Sequence, residues 1–259
     1  MPKFCANLSF LFDDVPFPER FSRAAAAGFR GVEYLFPYDR PAAEVAGWLR
    51  EAGLEQVLFN LPAGDWAGGE RGLACLPGRE VEFRESVEQA LTYAKILGCR
   101  RLHCLAGTTP AGVEEARLRS AYVANLRQAA DRLAGDGIQL LIEPINSRID
   151  MPGYWLDTPA KAFDLLEEIS RPNVAVQFDI YHAQVMAGDL ARTIEAGISR
   201  IGHVQVADNP GRHEPGSGEI NYPYLFRLLD RLGYQGWVGC EYRPLAGTEA
   251  GLAWMRSLS

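Results

Sequence analysis

Histidine is scarce in this chain, with four among 259 residues, so a site built from several zinc ions on clustered imidazoles is excluded. The five cysteines, Cys5, Cys75, Cys99, Cys104 and Cys240, are odd in number and form no Cys-x-x-Cys pair, which argues against a disulfide framework and suits a reducing cytoplasm. Long apolar runs are missing too: none approaches the roughly 18 residues a membrane helix requires. The apolar stretch at 4–12 is short and runs into Asp13 and Asp14, so neither a secretion signal nor a membrane anchor is expected. Positive charge is in deficit, with 26 Lys and Arg against 33 Asp and Glu, a net charge of −7 and a pI near 5.2. That balance disfavours nucleic acid and anionic membrane as partners. A glycine-rich phosphate turn after a strand is also absent, and with it the case for a nucleotide cofactor.

What is present is a globular composition, 47% hydrophobic and 23% charged, in a length that suits one large domain over residues 1–259. Short β-rich runs alternate with helical patterns along the whole chain. Strands are expected at 3–9, 31–36, 55–61, 101–105, 138–143, 174–179, 201–206 and 237–242, and helices at 17–27, 42–52, 81–97, 114–134, 159–169, 190–196, 222–232 and 248–256. Gly98 should close the third helix, and Pro41 and Pro159 suit first-turn positions. Eight such units predict an α/β fold of the (β/α)8 TIM-barrel type, in a single domain. One connection is long: residues 62–78, PAGDWAGGERGLACLPG, follow the third strand and carry Trp66, Glu70 and Arg71 toward the face where barrel enzymes place their sites.

On that face the strand ends can be read off directly. Strand five ends at Glu143, strand six at Asp179, strand seven carries Gln205 and strand eight ends at Glu241. Their spacings of 36, 26 and 36 residues each match about one βα unit, so all four are expected in one layer. Three converging carboxylates repel one another unless a cation lies among them. An all-oxygen set of this kind suits Mg2+, or Mn2+, better than zinc. Individually, other readings stay open: Asp179 as a helix cap, Glu143 or Glu241 as the partner of a barrel arginine. His182, three residues after Asp179, falls beside this group; His203 is either a supporting partner or barrel filling, and His103 reads as core. Arg212 and His213 lie in the loop after strand seven, either facing an anionic group or solvated. Phe36, Trp48 and Trp155 are candidates for the face of a homo-oligomer.

Several stretches carry a resemblance over essentially the whole length: ANLSFLF at 6–12, GFRGVEYLFPYD at 28–39, NLPAGDWAGGERGLACLPGRE at 60–80, LLIEPIN at 140–146, QFDIYHAQ at 177–184, GHVQVADNPGRHEPGSGEINY at 202–222 and GWVGCEY at 236–242. By these the chain resembles the hydroxypyruvate isomerase family of the xylose-isomerase-like barrels. The resemblance implies interconversion of hydroxypyruvate and tartronate semialdehyde, a small 2-oxo acid substrate, with Glu143 and Glu241 as the acid and base pair. It also implies a divalent metal on Glu143, Asp179, Gln205 and Glu241, although related sugar epimerases usually carry His where Gln205 stands. Residues expected to meet the substrate are His182, Arg71, Glu70 and Arg212. A sister family, the 2-oxotetronate isomerases, shares the segments from His213 and Gly233 onward almost as well, whereas GDWAGGERG and LLIEPIN look more like the hydroxypyruvate enzyme. Apurinic endonucleases share the barrel but need the histidines and positive charge this chain lacks. A non-catalytic sugar-acid sensor is the remaining alternative.

Overall fold

The computed structural model describes residues 2–256. Eight strands, β1 (Lys3–Asn7), β2 (Gly31–Tyr34), β3 (Glu55–Asn60), β4 (Arg101–Cys104), β5 (Gln139–Ile142), β6 (Val174–Asp179), β7 (Ile201–Val206) and β8 (Trp237–Cys240), pair in parallel and close into a barrel in chain order. The helices around it are α1 (Phe17–Ala26), α2 (Ala42–Ala52), α3 (Glu80–Leu97), α4 (Glu115–Ala134), α5 (Pro159–Ile169), α6 (Ile180–Met186), α7 (Leu190–Gly197), α8 (Tyr222–Arg231), α9 (Thr248–Gly251) and α10 (Ala253–Arg256). The expected (β/α)8 barrel is the observed one.

Local chemistry sets the element ends. Gly98 closes α3 at φ 67° and Gly53 closes α2 at φ 66°, the left-handed conformation that costs glycine least. Pro159 opens α5 behind the Thr158 cap, while Pro41 sits one residue before α2. Two departures from the sequence reading stand out. The 248–256 helix is split at Gly251 and Leu252, where glycine weakens the helix and Leu252 turns into the core. α6 follows β6 without a loop and is too short for an apolar stripe to announce it.

Apolar side chains of the strands pack outward against the helices in one large core. A second cluster, Cys5, Val57, Leu58, Leu141 and Ala175, with Trp237 against it, fills the barrel interior. Two register shifts interrupt the barrel, at Val32/Glu33 between β2 and β3 and at Val176/Gln177 between β6 and β7. Such irregularities turn side chains to new directions and are frequent beside active sites. All five cysteines are buried free thiols. No helix among the described residues is long and apolar enough to cross a membrane.

The three aromatic residues named for a subunit face are engaged within the chain. Trp155 is 3% exposed against Tyr122, so it belongs to the core rather than to a surface. Trp48 packs on Phe17 and Phe21, and Phe36 on Trp66.

Candidate active site

The C-terminal strand ends open into a cavity of about 240 Å3. Glu143 and Glu241 stand one residue beyond β5 and β8, Asp179 is the last residue of β6, and Gln205 in β7 lies level with Asp179 and with Gly239. All four are buried. Glu143, Glu241, His182, Arg71 and Arg212 line the cavity, so these expected residues are brought together. Glu70 is not: its carboxylate pairs with Arg79 at 2.6 Å and accepts the Asp65 N–H at 2.6 Å, which fastens the 62–78 loop. Arg71 donates to the carbonyls of Trp66 and Glu70 at 3.0 and 2.8 Å and stacks 4.2 Å over the Trp66 ring, so that residue pair forms one wall. A wider depression of about 600 Å3 shares Phe10, Leu35 and Arg243 with the cavity and carries Asp13, Asp14 and Glu249.

Glu241 is held from both sides. Its Oε2 accepts from Asn7 Nδ2 at 2.8 Å and Gln205 Nε2 at 2.7 Å, and its Oε1 accepts from Arg212 Nη2 at 2.6 Å. Arg212 also donates through Nη1 to Asp150 Oδ1 at 2.8 Å. Its backbone is left-handed at φ 54°, unusual for a side chain of this size. Asp208 imposes that turn: its carboxylate accepts the N–H groups of Asn209, Gly216, Gly218 and Ile220, and its carbonyl accepts Arg212 N–H at 2.8 Å. The β7 loop is thus wound around one buried carboxylate, which delivers Arg212 inward and leaves His213 on the Arg243 carbonyl at 2.7 Å.

Burial pushes the Glu143 carboxyl well above its usual range, and the neighbouring Glu241 and Asp179 push it further. Burial likewise pushes Glu241 up to about 8, against the opposing charge of Arg212. Burial works against the Arg212 charge, yet Glu241, Asp179 and Asp150 outweigh it and keep the guanidinium ionised. Part of the cation demanded by the converging carboxylates is therefore supplied by the chain itself, through the Arg212 guanidinium.

Burial lowers His182 to about 4 and His103 to about 3, so both rings are neutral at pH 7. Asn146 fixes the His182 tautomer. Its Oδ1 accepts the N–H groups of Ile149 and Asp150, so its Nδ2 faces His182 Nδ1 at 2.7 Å, and the ring proton sits on Nε2. That N–H points toward Asp179 Oδ2 and Glu143 Oε1, 3.8 and 4.0 Å away. His103, expected in the core, is buried but reaches the cavity: Asn60 Oδ1 accepts its Nδ1–H at 3.0 Å, leaving Nε2 3.4 Å from Glu143 Oε2.

Glu143 Oε1 and Asp179 Oδ2 are buried close together without a hydrogen-bond partner, with His182 beside them as a donor through Nε2 and not as a ligand. Two orphaned carboxylate oxygens fit a hard cation. Asp179 Oδ1 is occupied, capping α6 through the N–H groups of Tyr181 and His182, so helix cap and ligand are compatible roles. Gln205 does not present an oxygen there: its Oε1 accepts from Gln177 Nε2 at 2.6 Å, and its Nε2 donates to Glu33 and Glu241.

A family model described as Xylose isomerase-like TIM barrel matches residues 21–258. The chain belongs to this family. It is 52% identical over 256 residues to a 2-oxo-tetronate isomerase of Cupriavidus necator, covering 99% of this chain and 98% of that protein. It is 51% identical over 255 residues to a hydroxypyruvate isomerase of Escherichia coli, covering 98% of each. A crystal structure from Brucella melitensis, named AP endonuclease, family 2, superposes with a TM-score of 0.97 at 54% identity, covering 99% of each chain.

Set in this family, the site contains groups that the sequence reading missed. Glu33 in β2 is 1% exposed and bonded to Asn7, Gln205, Cys5 and His203. Burial alone would raise its carboxyl, but His203 and the hydrogen bonds it receives hold it below the usual range. Asp150, Asn146, Gln177 and Arg243 also face the cavity or brace it. The signal for Glu33 was present: a carboxylate inside an apolar strand, GVEY, must have a buried partner.

Proposed function

We propose that this protein is an isomerase that interconverts hydroxypyruvate and tartronate semialdehyde by proton transfer between neighbouring carbons. The observation that carries the reading is the pair of buried carboxyls, Glu143 and Glu241, both lining one small cavity, each with its acidity weakened by burial. Glu241, whose charged form is favoured by the Arg212 guanidinium, takes a proton from the hydroxymethyl carbon, C3. Electrons move into the C2–C3 bond, giving an enediolate. Glu143 delivers a proton to C2, and the hydroxyl proton passes from O3 to O2, so the product carries the carbonyl at C3. His182, with its proton on Nε2, donates to a developing oxyanion. Arg71 and Arg212 supply the cationic clamp for the substrate carboxylate.

Glu143 and Asp179 would hold a divalent cation, Mg2+ in our reading with Mn2+ as the other candidate, and when bound it supplies Lewis-acid stabilisation of negative charge. Gln205 is not placed in this shell, because both ends of its amide are engaged elsewhere.

A second reading takes a four-carbon 2-oxo acid as substrate. It is favoured by the nearly equal likeness to relatives bearing the two names. Comparison of kcat/KM for hydroxypyruvate and 2-oxotetronate separates the two readings. Replacement of either glutamate, Glu143→Gln or Glu241→Gln, should cost about 10^2- to 10^4-fold in kcat. Retention of full turnover by both variants would refute the proton-transfer pair.

A further inference from the structure

Beneath the cavity lies a polar layer that the proposed chemistry does not use. Glu33 Oε1 accepts from Asn7 Nδ2 at 3.1 Å and from Gln205 Nε2 at 2.8 Å. The same two amide groups each donate a second hydrogen bond to Glu241 Oε2, at 2.8 and 2.7 Å. Each amide is also fixed at its oxygen: Asn7 Oδ1 accepts Ser9 N–H at 3.0 Å, and Gln205 Oε1 accepts from Gln177 at 2.6 Å. The Glu33 carboxylate is completed by His203 Nε2 at 2.7 Å and Cys5 Sγ at 3.3 Å on Oε2.

The barrel is built to receive this carboxylate. Both register shifts fall at this layer, one at Glu33 and one at Gln177, the residues on either side of Gln205. On β8, Gly239 leaves the space the carboxylate occupies, since a Cβ there would stand 2.3 Å from Glu33 Oε1. That glycine has no positive φ to account for it, so room for Glu33 is the reason on view.

We infer that Glu33 is a positioning residue: it holds the amide groups of Asn7 and Gln205 with their N–H faces toward Glu241, pinning Oε2 and presenting Oε1 to the cavity. The inference rests on the proposed role of Glu241 in proton transfer. A carboxylate is required because it accepts from every neighbour at once. An amide at 33 would turn its own N–H groups toward one of those donors. Where those N–H groups face Asn7 and Gln205, one of the two amides reverses, sets its oxygen against Glu241 Oε2 and releases the carboxylate from its pose; where they face His203, that ring carries its proton on Nδ1 and the charge that holds both amides is lost.

The test compares Glu33→Gln, Glu33→Asp and Gly239→Ala with the parent protein, by steady-state kinetics on hydroxypyruvate and by the side-chain amide 1H–15N resonances of Asn7, Gln205 and the remote Asn173. Glu33→Gln is expected to lower kcat about 10- to 100-fold with KM changed by less than about threefold, and Glu33→Asp to recover part of the loss. The Asn7 and Gln205 resonances should move while Asn173 stays. Gly239→Ala, which alters no polar group, should reproduce the kcat loss by displacing the carboxylate, and it carries the test if Glu33→Gln fails to fold. Full kcat in Glu33→Gln or Gly239→Ala, or unmoved Asn7 and Gln205 resonances, overturns the inference. Full activity in Glu241→Gln instead overturns the proton-transfer reading, and the amide resonances still decide whether Glu33 sets the two orientations.

Discussion

Gly72 links the long loop to the barrel, and its replacement by alanine isolates the loop's role. Gly72 adopts φ 118° and bridges to Ala106, while its N–H donates to Ala63 O at 3.1 Å. A Cβ at this position would lie 2.3 Å from Leu105 O, 2.5 Å from Leu105 C and 2.8 Å from Gly107 N. All three are backbone atoms just beyond β4, so no side-chain rotation relieves the clash. The dihedral adds about 1–3 kcal/mol for an L residue. The least costly response is for the 62–78 loop to lift, carrying Trp66 and Arg71 off the cavity while the strands keep their pairing. Loss of one charged hydrogen-bonding contact costs about 1.5–3 kcal/mol, which corresponds to a rise in KM of about 10- to 100-fold. Steady-state kinetics on hydroxypyruvate, together with Trp66 fluorescence as a report on its contact with Arg71, measure the effect. An unchanged KM in a cooperatively folding Gly72→Ala protein would refute both the docking argument and the loop's place in the site.

Arg71→Ala should raise KM without the loss of loop docking, and unchanged kinetics would remove Arg71 from the substrate clamp. Asn146→Ala frees the His182 tautomer and should lower kcat by about tenfold or more, with a changed His182 15N pattern as the accompanying sign; an unaltered pattern would contradict the assignment. Asp179→Asn should weaken Mn2+ binding at least about tenfold by titration calorimetry; equal affinity would remove Asp179 as a ligand. The raised Glu241 carboxyl also has a stability signature. Between its ordinary value of 4.5 and about 8, the folded protein retains a proton that the unfolded chain has lost. Stability from this group is thus fully present below 4.5 and is lost as pH rises through about 8, at about 1.4 kcal/mol per pH unit. Denaturation in chelator should show that slope in the parent minus Glu241→Gln difference, and a flat difference would contradict the burial argument.

The fold was readable because eight alternating apolar runs leave few topologies, and the observed strands fall within about two residues of the expected ones. The strand ends named Glu143, Asp179 and Glu241 for the same reason: in a closed barrel, chain position fixes which residues share a rim. Glu33 and Asn7 escaped because interior side chains of a barrel meet partners far apart in sequence; the Asn7–Glu241 bond spans 234 residues. Spacing along the chain carries no trace of such a contact. Arg212 was placed in the right loop, but its inward direction depends on Asp208 gathering four backbone N–H groups, which only the folded loop reveals. The level of Gln205 in the barrel suggests an oxygen donor. Its amide presents nitrogen instead, because two carboxylates lie on that side.

The most direct test follows hydroxypyruvate in D2O by proton NMR with the parent protein, Glu143→Gln and Glu241→Gln. Tartronate semialdehyde is expected to appear with solvent deuterium on carbon, and both product formation and exchange to fall by about 10^2- to 10^4-fold in each variant. Product formed by the parent without deuterium incorporation, or full turnover in both glutamine variants, would contradict the proton-transfer pair.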